Sequence, residues 1–375
     1  MRNVLQNLTI LGISVALGIL AFLLFDFFVI SHSIEEPGSG DRYGYLRYED
    51  GWYALAPNVR VASAWGKTVY PWRTDANGFR INHNRTSASG PAEIIFLGDS
   101  FTFGMGLPWE DTFVGIYEKG SSGPVINAGV SSWSPTPYLW QYKRAISAGV
   151  LRTPHAAIVA IDISDVQDEA AIWEDGQDHP RRRNYPTSSA QISLQPTSSL
   201  KGFFTSRLLG TSRIFRMIRY QIIQDSPVNE DPFDQIRSAF TWRSWDAIES
   251  AMTEAPGGFE RIGYQPLGVR GGLAAIRDKL ATISSIAREN NSDLWILIYP
   301  WPAQLRHPST IFDWEQFNVD MCHDIKCRGV INTFPRFRSL AVDSDWYDKL
   351  YVHGDIHFNK FGNQVIADVI KVVVK

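Results

Sequence analysis

From Ala92 onward the chain alternates short, unbroken apolar runs with amphipathic stretches, and this rhythm leaves few folds open. "AEIIFLG" (92–98) is apolar throughout after its glutamate, as in a strand buried on both faces. "WEDTFVGIYEKG" (109–120) has acids in its first turn and glycine after its end, the signals of a helix. "PVINAG" (124–129), "TPYLWQYKRAISAG" (136–149) and "HAAIVAID" (155–162) continue as strand, helix and strand. The pattern resumes with a helix, "GGLAAIRDKLATISSIARENN" (271–291). The strands "DLWILIYP" (293–300) and "GVINTFPRF" (329–337) follow, and a last helix contains "NQVIADVIKVVV". Strands and helices alternating at this spacing predict a parallel sheet covered on both faces.

The segments around this core read differently. No charged residue occurs between Leu8 and Phe25, and the apolar run continues past Asp26 to Ile30, enough for one transmembrane helix. Arg2 precedes the run, and Glu35 and Glu36 follow it. The expectation is an uncleaved single-pass anchor in the inner membrane, N-terminus cytoplasmic and the remainder periplasmic. "SIEEPGSGDRYG" (33–44) reads as a linker, and Tyr45 to about Asn84 as a few short strands packed on the main domain. About 169–267 breaks the rhythm and reads as an insertion at the rim. The expected organisation is therefore 1–33 anchor, 34–90 linker and preamble, and 91–375 catalytic domain. A net charge of −3 gives no electrostatic reason to expect nucleic acid. The basic run "HPRRRN" (179–184) reads as a solvated loop. Cys322 and Cys327 lack the second Cys/His pair of a zinc site, and His323 between them reads as a surface residue. They are two thiols or, in an exported domain, a short-loop disulfide.

The chemistry gathers in two loops. In "EIIFLGDSFTFGMG" (93–106) Ser100 follows the first strand directly, at the carboxyl end where parallel sheets bind ligands. A serine hydroxyl becomes a nucleophile only with a base in reach and a carboxylate to orient that base. "YVHGDIHFNKFGN" (351–363), just before the last helix, offers Asp355 and His357, with His353 as a fallback base.

With these residues the chain resembles the SGNH/GDSL hydrolase superfamily from about Glu93 to its C-terminus. "FLGDSFTFG" resembles the first block, which carries the nucleophile. "INAGVSSWSP" resembles the second, whose glycine, here Gly129, donates an N–H to the oxyanion beside the N–H of Ser100. "GDIHFNKFGN" resembles the last block, which supplies acid and base. "TDANGFRINH" (74–83) is similar to what precedes the first block in membrane-anchored, polysaccharide-modifying members. The resemblance implies a three-layer α/β/α flavodoxin-like sandwich with a central parallel sheet. Two departures stand out. In "AIDISDVQDE" Ser164 occupies the place of the third oxyanion donor, an asparagine, whose loss costs on the order of 3 kcal/mol unless Ser164 or another group such as Asn127 replaces it. The acid lies two residues before the base, as in the alginate-type acetyltransferase branch; the commoner spacing would put Gly354 there.

The implied reaction forms an acyl-serine that water or a sugar hydroxyl then resolves, with no metal and no organic cofactor. The expected substrate is an O-acetyl group on an extracytoplasmic glycan. Trp133 and Trp301, with Asp165, are the candidate substrate contacts. The aromatics at Trp133, Tyr138, Trp140, Trp301 and Trp346 either stack on sugar or fill the core, and "YPWPAQL" (299–305) is the expected cleft wall. The expected partners are the glycan or acyl ester, the bilayer and, for transfer, a multi-span membrane protein delivering the acyl group. The rival readings are a lipase or thioesterase, and an inactive membrane-anchored glycan-binding protein.

Overall fold

The alternation read from Ala92 folds, in the computed structural model, around a mixed sheet. The structure describes residues 46–49, 52–65, 68–82, 90–121, 123–183, 264–306, 308 and 312–374, with scattered helical positions between 6 and 25. The expected transmembrane run and linker lie outside the described residues apart from those positions, as does 184–263 of the expected insertion. Among the described residues no helix is long and apolar enough to cross a membrane. The chain has two compact units, Met1–Ser39 with Ser189–Val228 and Gly40–Ser188 with Asn229–Lys375. Every strand described below belongs to the second.

β1 (Leu46–Glu49) and β2 (Trp52–Leu55) form a separate antiparallel pair. β3 (Arg60–Trp65), β4 (Thr68–Thr74) and the two-residue β5 (Arg80–Ile81) follow. The core strands are β6 (Ala92–Leu97), β7 (Val125–Asn127) and β8 (Leu151–Ile161). After a small antiparallel pair, β9 (Trp173–Glu174) and β10 (Arg181–Arg182), come β11 (Asp293–Ile298) and β12 (Gly329–Asn332). The main sheet has the order β12-β11-β8-β6-β7-β5-β4-β3. Its neighbours from β12 through to β7 pair in parallel. The parallel strands, taken in chain order, run 2-1-3-4-5, the flavodoxin-like arrangement with its switch point between β6 and β8. β5, β4 and β3 add an antiparallel extension beyond β7, joined at Arg80↔Asn127. The preamble therefore lengthens the sheet.

The helices explain the layers. α1 (Ser100–Phe103) is a single turn after β6, and α2 (Phe113–Lys119) leads into β7. The helix expected over 109–120 is broken because Thr112 caps α2, accepting the Gly115 N–H. α3 (Pro135–Ser147) connects β7 to β8 and starts at a proline, whose missing N–H costs nothing there. The connections through α2 and α3 run in opposite directions across the sheet, so right-handed crossovers put these helices on opposite faces. α4 (Gly268–Glu289) packs beside α3, and α5 (Trp314–Ile325) against α4. α6 (Lys360–Val373) packs on α2. α4 buries Leu273, Ile276, Leu280, Ile283 and Ala287, one stripe at helical spacing. Between the layers Ile95, Phe96, Leu97, Val159 and Ile296 are fully buried. Each such side chain stabilises the fold by roughly 1.5–3 kcal/mol. "GVINTFPRF" is a strand only to Asn332; a helix, Phe334–Leu340, takes the remainder, with Pro335 in its first turn.

Candidate active site

The nucleophile segment is built by β6 and its turn. Asp99 caps α1, accepting the Phe101 N–H at 2.9 Å. Ser100 is the first helical residue, so the helix leaves its N–H without an internal partner. From the preamble, Arg80 reaches under the end of α1. Its fully buried guanidinium donates to the carbonyls of Phe103, Gly104 (2.9 Å) and Leu107 (2.6 Å). Burial lowers its pKa to about 10, opposed by Tyr70 and Glu110.

The second loop is fixed from both ends. Asn359 caps α6 through the Gly362 N–H (3.0 Å), and its amide donates to the carbonyls of Asp348 and Tyr351. The Tyr347 hydroxyl accepts the Asp355 N–H (2.8 Å) and donates to the Asp355 carbonyl (2.7 Å). Gly354 turns the chain at φ +73°, a left-handed conformation that L side chains rarely adopt.

The structure brings Ser100, Asp355 and His357 together. The Ser100 hydroxyl donates to His357 Nε2 over 2.8 Å, and His357 Nδ1–H donates to Asp355 Oδ1 over 2.7 Å. Asp355 Oδ1 also accepts the N–H groups of Ile356 (2.6 Å) and His357 (3.1 Å). Its other oxygen, Oδ2, accepts the indole N–H of Trp65. Burial pushes Asp355 up, but the charge and N–H groups of His357 and the Trp65 indole outweigh it, so its pKa is lowered. His357 is buried between Phe101 (ring centroids 4.7 Å apart) and the edge of Trp65 (5.3 Å). His353 instead pairs with Asp348 at 2.7 Å, half exposed, and is not the base.

The expected oxyanion donors are placed differently. Gly129 donates its N–H to Asn127 Oδ1 (3.0 Å), and the Asn127 amide donates to the Thr102 carbonyl (2.7 Å). A Cβ on Gly129 would lie 2.4 Å from the Phe103 nitrogen, so glycine here lets the loop after β7 lie against α1. The Ser164 hydroxyl donates to Asp162 Oδ1 (2.7 Å), as does its N–H (2.8 Å). The Gly129 N–H, the Ser164 N–H and hydroxyl and one hydrogen of the Asn127 amide are thus bonded inside the protein, and the Ser100 N–H has no partner within its own helix.

Behind Ser100 lies a carboxyl pair that the sequence did not announce. The Tyr299 hydroxyl sits 3.3 Å from Asp99 Oδ1 and 3.2 Å from Asp162 Oδ2. Burial and the charge of Asp162 push Asp99 up to about 7. Trp301, one candidate sugar contact, is buried, and its indole donates to Asp162 Oδ2 (2.9 Å). Trp133, the other, is buried and donates to the Tyr53 carbonyl (3.1 Å). Asp165 is buried too, accepting the Asp162 N–H (2.9 Å) and the Tyr138 hydroxyl (3.2 Å). All three are buried, their polar groups bonded within the protein. Among the described residues no group of His, Cys, Asp and Glu is arranged to hold a metal ion.

No family model and no curated protein matches the chain. Among solved structures it is similar to a lipolytic protein of the G-D-S-L family from Desulfitobacterium hafniense, at 12% identity over 75% of this chain and 98% of that one, TM-score 0.37. A second lipolytic G-D-S-L protein, from Veillonella parvula, is 10% identical over 75% and 97%, TM-score 0.38. An acetyl-xylooligosaccharide esterase from Geobacillus is 10% identical over 77% and 97%, TM-score 0.38. Of these three solved structures, two are lipolytic proteins of the G-D-S-L family and one is an acetyl-xylooligosaccharide esterase.

Proposed function

We propose that the chain is a serine-dependent acyl-ester hydrolase or O-acyltransferase of the SGNH/GDSL kind. The observation that carries the reading is the relay Ser100–His357–Asp355, with both links at hydrogen-bond distance. Ser100 Oγ attacks the ester carbonyl while His357 Nε2 takes its proton. Asp355 holds the imidazole tautomer and stabilises the imidazolium. The oxyanion meets the Ser100 N–H. On collapse the alkoxy C–O bond breaks, and His357 returns the proton to the leaving alcohol. Water or a sugar hydroxyl then attacks the acyl-serine, losing its proton to His357; the bond between the acyl carbon and Ser100 Oγ breaks, and His357 returns the proton to Ser100. Each missing oxyanion donor costs on the order of 3 kcal/mol, so turnover on simple esters is slow.

The finer reading is removal or transfer of O-acetyl groups on an extracytoplasmic glycan, by a domain tethered through its N-terminal helix. It is supported by the apolar run before residue 31, the "TDANGFRINH" segment and the Asp-x-His spacing. The buried Trp133 and Trp301 lend it no support.

The test compares wild type with Ser100→Ala on p-nitrophenyl acetate and longer acyl esters, with and without an added unacetylated oligosaccharide acceptor. Activity in Ser100→Ala removes the nucleophile assignment. Acetate released to water marks an esterase, and acetyl recovered on the sugar marks a transferase. Preference for long acyl chains replaces the glycan reading with a lipase or thioesterase. A reporter fused after Lys375 that works only in the cytoplasm overturns the periplasmic placement.

A further inference from the structure

The relay is completed by a residue far outside its two loops. Trp65, the last residue of β3, donates its indole N–H to Asp355 Oδ2 across 290 positions of sequence. The two oxygens of the carboxylate therefore have separate duties: Oδ1 faces His357 and Oδ2 faces the indole. Trp65 is itself held. Its Cδ1 would lie 3.2 Å from a Cβ on Gly106, which turns at φ +82° in the loop after α1. Its ring meets the His357 ring edge-on, at an interplanar angle of 89°. Turning this carboxylate about its Cβ–Cγ bond moves both oxygens, so the indole on Oδ2 adds a fourth donor, from outside the loop, to the three that hold Oδ1.

We infer that Trp65 is a positioning residue for the triad, clamping Asp355 from the preamble so that the antiparallel extension is part of the catalytic apparatus. The inference rests on the reading of Ser100 as nucleophile. The titratable groups facing the relay are Asp355 and His357 themselves, Asp99 toward His357, and Tyr347 toward Asp355.

The test is Trp65→Phe in the full chain, together with a variant carrying 3-benzothienylalanine at the same position, which keeps the indole's shape and lacks its N–H. On a small acetyl ester kcat is expected to fall roughly 10- to 100-fold, with KM within about twofold. An ionised carboxylate that loses a donor is easier to protonate. The acid limb of the rate profile therefore moves to higher pH, and so does the Asp355 carboxyl titration followed by 13C NMR. An unchanged titration in the benzothienyl variant overturns the inference, and so does a fall in kcat accompanied only by a lower Tm. The NMR titration needs no turnover. If wild type proves inactive on every ester, the functional reading falls, and the titration still decides whether Trp65 holds Asp355.

Discussion

His357 Nε2 and Ser100 Oγ lie 2.8 Å apart although 257 positions separate them in sequence. Residues that act as one unit give non-additive losses. Ser100→Ala is expected to lower kcat by at least ~10^4-fold, and His357→Ala by a similar factor. The double variant should be no slower than either single one. Burst and steady-state kinetics on an acetyl ester check this; losses that multiply would mean the two residues do not share a step.

Arg80 governs the loop that follows the nucleophile. Its guanidinium is buried under carbonyls of Phe103, Gly104 and Leu107, and it stacks over the Phe103 ring at 4.6 Å. Arg80→Met removes the cation and its hydrogen bonds to the Phe103 and Leu107 carbonyls, while the Gly104 carbonyl keeps the Leu107 N–H at 3.3 Å. The expected destabilisation is about 3 kcal/mol, read from urea unfolding midpoints at constant m. Arg80→Lys keeps the charge without the planar fork, so it recovers only part of that loss. If Arg80→Met unfolds at the wild-type midpoint, the carbonyls have found other partners and the cation is dispensable.

Part of this site was legible in the sequence. The apolar runs placed the parallel strands because buried strands carry no polar face, and the turn before α6 announced Asp355 and His357 because caps and acids cluster there. What could not be read were contacts across the sheet. Trp65 in "SAWGK" carries no local sign that Asp355 is its acceptor. Asp162 and Tyr299 end different strands and meet only once β8 and β11 pair. The internal partners of Gly129 and Ser164 were hidden for a related reason. Sequence gives the position of a donor but not the acceptor already bonded to it, and here Asn127 and Asp162 take those hydrogens. The aromatics among turn residues left sugar stacking and core filling both open, and Trp133 and Trp301 are buried, where an indole N–H finds a carbonyl or a carboxylate.

Cys322 and Cys327 form a disulfide across five positions, from the end of α5 to the turn before β12. Closing so small a loop removes little entropy from the unfolded chain. Replacing both cysteines by alanine should therefore cost about 2 kcal/mol. Ester turnover should be unchanged, because the bridge lies outside the residues that hold the relay. Thermal unfolding with and without reductant checks the first expectation. A reductant-dependent kcat would reveal a link to the site that these contacts do not contain.

The buried pair Asp99 and Asp162 sets the last expectation. Burial, then the charge of Asp162, raises Asp99 from 3.8 to about 7. Between roughly pH 4 and 7 the folded protein keeps a proton that the unfolded chain releases. Stability from this group is thus full at the acid end, declines as pH rises through the window and is level above it. Asp165, Asp168 and Glu169 are raised as well, so the wild-type curve contains their slopes too. The difference between wild type and Asp99→Asn reports the coupled pair of Asp99 and Asp162, whose own carboxyl burial also raises. Asparagine keeps an oxygen for the Phe101 N–H and cannot ionise. The variant should lose less Tm than wild type between pH 4 and 7 and stand above it at pH 8. Parallel Tm curves across that window would mean that Asp99 is ionised throughout, with Tyr299 and the Phe101 N–H sufficient to hold its charge beside Asp162.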